Sequence, residues 1–141
     1  MSDCCGSSND AIICACSGAA DVGFLSDRAA RMLSVAGHGS MYCLAGVGAD
    51  IESFVKGAKD SGRVIVIDGC PVKCGKKAMD NHGVKSESYV VTEFGFKKGE
   101  TGMSEDTVKD AFLKIQDAVS AKAPSDCCNG GGSSCGCGGK C

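Results

Sequence analysis

The sequence lacks tryptophan, has only two prolines and contains no long apolar run. A membrane-spanning helix needs about 20 apolar residues, and no stretch of this chain approaches that length. The opening segment "MSDCCGSSND" also lacks the basic start and the apolar run of a secretory signal. These absences predict a cytoplasmic protein that has no membrane partner.

An excess of charge of one sign is missing as well. The chain has 15 basic and 17 acidic residues, which leave a net charge of −2, and both kinds are spread along its length. Nucleic-acid-binding domains carry a basic patch or stripe, so no nucleic-acid partner is expected. The one local excess, formed by Lys73, Lys76 and Lys77, is interpreted as a solvated face.

Cysteine, by contrast, is abundant, with 12 in the chain. Thiols stay reduced in the cytoplasm, where clustered cysteines indicate metal or redox chemistry more often than disulfides. Residues 1–10 are predicted to form a flexible N-terminus and residues 123–141 a disordered Gly/Ser/Cys-rich tail, because neither has the apolar side chains that build a core. A single domain is therefore expected over residues 11–122. For the seven cysteines in the two ends, metal capture and a role as spare thiols both remain open.

The domain repeats one pattern four times: a short apolar run followed by apolar residues at helical spacing. The predicted strands are "AIICAC", "SMYCLAG", "RVIVID" and "ESYVVTEFGF". One helix is predicted to run through Val47 and Ala58, another from about Pro71 to Asn81, and Ser104 is predicted to cap the last. Alternating strands and helices predict a single-domain, three-layer α/β sandwich with about four mostly parallel strands and helices on both faces.

Parallel strands share a direction, so their C-terminal ends lie at one edge of the sheet. Cys14 and Cys16 lie at the end of the first predicted strand, Cys43 at or just past the end of the second and Cys70 just past the third, with Cys74 one helical turn later. Open α/β sheets bind ligands at this edge. The predicted topology therefore brings five thiols, distant in sequence, to one place.

These five cysteines are not equally strong candidates for a functional role. Cys14 lies inside an apolar run and is predicted to be a small core residue. Cys43, taken alone, is equally compatible with a core or a functional role. Cys16 precedes a Ser-Gly turn, while Cys70 and Cys74 flank a predicted helix start, so these three are predicted to be functional.

Other polar residues near the edge are ambiguous or discounted. Asp68 ends the third strand and is either a cap for the following turn or a residue that supports or binds a metal. His38 and His82 each lie beside a glycine at a predicted helix end, and we expect neither to be a ligand.

Several known motifs fail on these loops. "CSGAADVG" resembles a phosphate loop, but Val22 stands where a tyrosine-phosphatase-type cysteine would need an Arg, and Phe24 and Leu25 replace the Lys and Ser/Thr of a Walker A loop. "GVGADI" has Ile51 in place of the third glycine of a dinucleotide fingerprint. No C-x-x-C is present for a thioredoxin-type site. Cysteine chemistry of another kind remains.

Three segments resemble the DGC domain family, which is described as zinc-binding and named after an Asp-Gly-Cys motif. They are "CSGAADVGFLSDRAARML", "MYCLAGVGADIESFVKGAK" and "VIVIDGCPVKCGKKAMDNHGV", the last containing the motif as Asp68, Gly69 and Cys70. The resemblance covers about residues 10–120. It implies that the chelating cysteines are Cys16, Cys43, Cys70 and Cys74. It supports a site and not a reaction, so enzymatic activity stays open and no catalytic residue is assigned.

Three hypotheses follow for these cysteines. Four thiolates can hold one Zn²⁺ tetrahedrally with no open position, as in a structural or metal-carrying site. The alternatives are a persulfide, sulfur-transfer or thiol-redox protein and an iron–sulfur cluster carrier. The expected partners are a metal ion and a protein that donates or accepts metal or sulfur.

Overall fold

The computed structural model describes residues 11–123. The N-terminal segment and the tail from residue 124 onward lie outside the described residues, and so do the seven cysteines within them. The elements, in chain order, are β1 (Ala11–Ala15), α1 (Asp21–Val35), β2 (Ser40–Met41), α2 (Leu44–Gly48), α3 (Glu52–Asp60), β3 (Arg63–Asp68), α4 (Cys74–Asn81), β4 (Glu87–Val90) and α5 (Glu105–Ala121). A short 3₁₀ helix, Val91–Phe94, follows β4.

The sheet has the order β2-β1-β3-β4, and every pairing is parallel. In the central pair, Cys14 lies opposite Val66 and Ala15 opposite Ile67. All five residues of β1 are buried, as expected for a strand that is covered on both faces. The predicted α/β architecture with a parallel sheet is confirmed.

Two apolar cores cover the two faces of this sheet. Alternate residues of β1 point to opposite faces, so that Ile13 joins a core with α1 and α5, whereas Cys14 joins a core with α2, α3 and α4. Leu25 and Ile115 belong to the first core, and Met79 belongs to the second. No helix within residues 11–123 is long and apolar enough to cross a membrane.

The second strand and the helix after it differ from the prediction. β2 is only two residues long, and Cys43 lies just past it as the N-cap of α2. The single helix predicted to run through Val47 and Ala58 is in fact two helices, α2 and α3, because α2 ends in a Schellman motif. In this motif Asp50 is left-handed at φ 58°, and the Ile51 N–H donates a hydrogen bond to the Gly46 carbonyl at 3.1 Å. The apolar spacing continues across this break, which is why periodicity alone did not reveal it.

The helix after β3 also begins later than predicted. α4 begins at Cys74 and not near Pro71, and the residues before it form a turn closed by the Lys73 N–H on the Cys70 carbonyl at 3.1 Å. Cys70 therefore lies in this turn, outside the helix. β4 is likewise shorter than its apolar run, since the 3₁₀ helix takes over at Val91.

The last helix begins as predicted and returns the chain to the far edge of the sheet. Ser104 caps α5 by accepting the Thr107 N–H at 3.3 Å. Near the other end of α5, the Val119 carbonyl accepts a hydrogen bond of 2.9 Å from Arg63, the first residue of β3. Both ends of the described chain, Ala11 and Ala123, therefore lie away from the edge where the strands end.

Candidate metal centre

Four cysteines follow the ends of the three strands β1, β2 and β3, at one edge of the sheet. Cys16 comes directly after β1, Cys43 two residues after β2 and Cys70 two residues after β3, while Cys74 opens α4. All are free thiols. Cys43 and Cys74 are exposed, whereas Cys16 and Cys70 are partly buried. The loops that carry the cysteines predicted from sequence thus share one edge.

Cys16 is held by contacts from two other parts of the chain. Its sulfur accepts the N–H of Gly69 at 3.2 Å, and its own N–H donates to the Ile67 carbonyl at 3.1 Å. The hydroxyl of Ser26, on α1, lies 3.3 Å from the same sulfur and donates to the Gly23 carbonyl at 2.7 Å. Nothing in the residue pattern indicated this role for Ser26, which is fully buried.

Gly69 can approach Cys16 because it has no side chain. A Cβ there would lie 2.7 Å from both the Gly23 nitrogen and the Val22 carbonyl carbon, which are backbone atoms that cannot rotate away. A Cβ at Gly23 would in turn lie 2.6 Å from the Gly18 carbonyl oxygen. The loop after β3, the first turn of α1 and the loop after β1 are therefore in direct backbone contact.

Asp68 caps α4 across the intervening turn. The residue is 1% exposed. One carboxylate oxygen accepts the Gly75 N–H at 2.7 Å, and the other accepts the Lys76 N–H at 3.0 Å. Of the roles left open by the sequence, the structure supports the cap, because both oxygens are bonded to the first turn of the helix that begins with Cys74.

Cys43 and Cys14 have different environments. Cys43 is the N-cap of α2, and its sulfur accepts the Gly46 N–H at 3.4 Å. Cys14 is fully buried in the core under α2, α3 and α4, as predicted. Burial, with a smaller contribution from the neighbouring Cys43, raises the pKa of the Cys14 thiol to about 12. Cys14 is thus a protonated core residue.

Strained backbone adjoins two of the candidate thiols. Ser17, directly after Cys16, has φ 45°, and Lys73, directly before Cys74, has φ 53°. Left-handed conformations of residues other than glycine are costly and cluster at functional sites. The Ser17 hydroxyl is held by a 3.0 Å hydrogen bond to Asp27. Neither residue type reveals this conformation in the sequence.

Charged side chains near the edge are largely paired. Lys76 forms an ion pair with Asp80, and the Lys73 ammonium lies 3.9 Å from a Glu93 oxygen. Of the lysines predicted to form a solvated face, Lys73 and Lys76 therefore have carboxylate partners. The histidines lie elsewhere: His38 follows α1 and contacts Gln116 at 3.1 Å, while His82 follows α4.

The chemistry of the donors suits zinc, since thiolates are its usual ligands in structural sites. Within residues 11–123, however, no three Cys, His, Asp or Glu side chains stand close enough together to hold a metal ion. Metal binding would require thiols to turn toward one another. Cys43 and Cys74 are exposed, so packing does not prevent this rotation.

A family model for the DGC domain matches residues 12–115. The chain belongs to the DGC domain family. It is similar to the anaerobic and virulence modulator AnvM of Pseudomonas aeruginosa, with 34% identity over 88 residues, which cover 62% of this chain and 67% of that protein. No solved structure matches the chain. Within this DGC domain, the Asp-Gly-Cys tripeptide is the segment that contacts both Cys16 and the start of α4.

Proposed function

We propose that this DGC-domain protein binds one zinc ion through the thiolates of Cys16, Cys43, Cys70 and Cys74. The observation that supports this most is the 3.2 Å hydrogen bond from Gly69 to the Cys16 sulfur. It joins the loop that carries Cys16 to the loop that carries Cys70, although the two segments are 53 residues apart in sequence. A site built from separate loops at the C-terminal edge of a parallel sheet is the usual arrangement for ligands in this class of fold.

A site of four thiolates leaves zinc no open coordination position, so it would store or carry the metal instead of activating water. Two of the four thiols, Cys43 and Cys74, are exposed to solvent. An ion bound there would be accessible to the thiols of another protein. We therefore propose a metal-carrying role, with a metal donor or acceptor protein as the partner.

Thiol chemistry is the second candidate, and the position of Cys74 favours it. Cys74 is the exposed first residue of an eight-residue helix, so a disulfide or persulfide of a partner protein can reach its sulfur. The Cys74 sulfur would attack the S–S bond of that partner, take up the attacked sulfur as a mixed disulfide or persulfide and release the partner's other sulfur as a thiolate. Cys70 is less suited to this step because it lies partly buried in the turn before the helix.

Metal analysis of protein purified without oxygen separates these candidates. We would use the full-length chain with its seven terminal cysteines changed to serine, so that only residues 11–123 supply thiols. One zinc per chain in a colourless sample is the expected result. A brown sample with iron and sulfide would instead identify a cluster, and a metal-free protein with one fast-reacting thiol would favour sulfur chemistry.

A further inference from the structure

The residue that caps α4 is unusually distant from the helix in sequence. A helix is ordinarily capped by the residue just before it, but that residue here, Lys73, is left-handed and its side chain caps nothing. The caps are the two oxygens of Asp68, seven and eight residues earlier than the N–H groups they accept. Burying a carboxylate for this purpose is a costly way to stabilise a helix, because a local Ser or Asp would do so from the surface.

The Asp68 carboxylate instead fixes where the helix begins. The Gly75 nitrogen that it binds at 2.7 Å is covalently bonded to the carbonyl carbon of Cys74. The bond therefore joins the end of β3 to the peptide unit of Cys74. Position 75 also has no room for a side chain, since a Cβ would lie 2.9 Å from the Asp68 oxygen and 2.8 Å from Val66 Cγ1.

Ser26 contacts the sulfur of Cys16, as Asp68 contacts the peptide unit of Cys74. Its hydroxyl is fully buried and has two neighbours, the Gly23 carbonyl at 2.7 Å and the Cys16 sulfur at 3.3 Å. With a thiol, the Ser26 oxygen can accept the S–H hydrogen; with a thiolate, the hydroxyl can turn and donate. Ser26 can therefore hold the Cys16 sulfur in both states, alongside the Gly69 N–H.

We propose that Asp68 and Ser26 are positioning residues for the metal site, with Asp68 orienting Cys74 and Ser26 orienting Cys16. This inference rests on the proposed function. Neither residue binds the ion, and each acts on one cysteine only. Partners that orient metal ligands commonly contribute about 10–100-fold to metal affinity.

Double-mutant cycles measure this division of roles. In the full-length chain with serine at the seven terminal cysteines, zinc affinity is measured by chelator competition and thiolate ligation by the visible absorption of the Co²⁺ form. We expect Asp68→Asn and Ser26→Ala each to weaken zinc binding by about 10–100-fold. The Asp68→Asn effect should largely vanish when Cys74→Ser is also present and persist with Cys16→Ser. The Ser26→Ala effect should show the reverse pattern.

Met79→Ala is the matched control for a loss of stability. Met79 is fully buried in the second half of α4, where it belongs to the apolar core that contains Cys14. It should lower the melting temperature of the metal-free protein and leave zinc affinity nearly unchanged. Equal losses of affinity for Met79→Ala and Asp68→Asn at similar melting temperatures would overturn the inference, and so would an Asp68→Asn effect of equal size in both cysteine backgrounds.

A second variant covers the case in which Asp68→Asn does not fold. Asp68→Glu keeps the carboxylate but moves it by one methylene, and we expect the same coupling to Cys74 alone. Uptake of zinc without either coupling would refute the positioning roles and leave the proposed function intact. Failure of the parent protein to bind Zn²⁺ or Co²⁺ would refute both.

Discussion

The backbone N–H of Gly69 donates a hydrogen bond to the sulfur of Cys16 at 3.2 Å. Gly69 is the middle residue of the Asp-Gly-Cys motif, and the three residues of the motif have separate structural roles. Asp68 holds the start of α4, Gly69 contacts Cys16, and Cys70 supplies a thiol in the turn between them. The tripeptide is therefore the point at which loops from different strands meet.

Gly69→Ala should disrupt the contact between the loop after β3 and the start of α1. The new Cβ would lie 2.7 Å from backbone atoms of Val22 and Gly23, so the loop after β3 must move away from α1. We expect a loss of about 1–3 kcal/mol in the free energy of unfolding and weaker metal binding, measured by denaturant unfolding and chelator competition. Gly48→Ala is the control, because a Cβ there meets nothing within 4 Å. A neutral Gly69→Ala would show that the backbone contact is not needed.

Single cysteine substitutions should distinguish the thiols that bind metal from the thiol that belongs to the core. Cys70→Ser and Cys74→Ser should each weaken zinc binding by more than the roughly 10–100-fold typical of losing a ligand's hydrogen-bond partner. Cys14→Ser should retain affinity but lose about 1–3 kcal/mol of stability, because it places a hydroxyl in the fully buried position of Cys14. Titration with zinc and thermal unfolding of the same three variants would check this. Equal losses of affinity in all three would mean that Cys14 is wrongly assigned to the core.

The fold was predictable where a local pattern determines it. β1 and β3 are continuous apolar runs, and the apolar spacing of α1 and α5 matches their buried faces. Gly37, just beyond the end of α1, is left-handed at φ 86°, the conformation for which glycine is the usual residue after a helix. Strand direction then placed the cysteines at one edge without any knowledge of side-chain contacts.

The remaining features depend on contacts between distant residues. α4 begins at Cys74 because Asp68 accepts its first N–H groups, and no spacing within the helix encodes that choice. The Ser26 contact with Cys16 spans ten residues from a loop to a helix face. Asp50 ends α2 in a conformation that is commoner for glycine, so the helix break had no glycine to mark it.

Acid should weaken the attachment of the 97–102 loop to α1. Asp21 accepts the N–H groups of Gly99 at 2.8 Å and Thr101 at 3.1 Å, and these bonds, Gly99 first, hold the pKa of its carboxyl below the usual value. A lowered pKa contributes stability above the unfolded-state pKa, near 3.8, that is lost as the pH falls through the folded-state value. In urea unfolding, the stability difference between wild type and Asp21→Asn should shrink from pH 6 to pH 3. A constant difference would contradict this role for Asp21.

Removing residues 125–141 should leave the domain folded. The last described helix, α5, ends at the edge of the sheet opposite the cysteines, where Arg63 binds the Val119 carbonyl. The apolar face of α5 is complete before the tail begins, since Ala111, Ile115 and Val119 are all fully buried. The truncated protein is expected to unfold in one cooperative thermal transition. A broad transition would show that the tail contributes to the fold.

The most direct test of the proposed metal site is the protection of its thiols. In a four-thiolate site, every sulfur is bound to the ion, so the zinc-loaded protein should react slowly with iodoacetamide at Cys16, Cys43, Cys70 and Cys74 together. Peptide mass spectrometry should show joint protection by one zinc per chain and a joint increase in labelling after chelation. If Cys70 or Cys74 alone is labelled rapidly while zinc is bound, the closed site is wrong and sulfur chemistry becomes the better account.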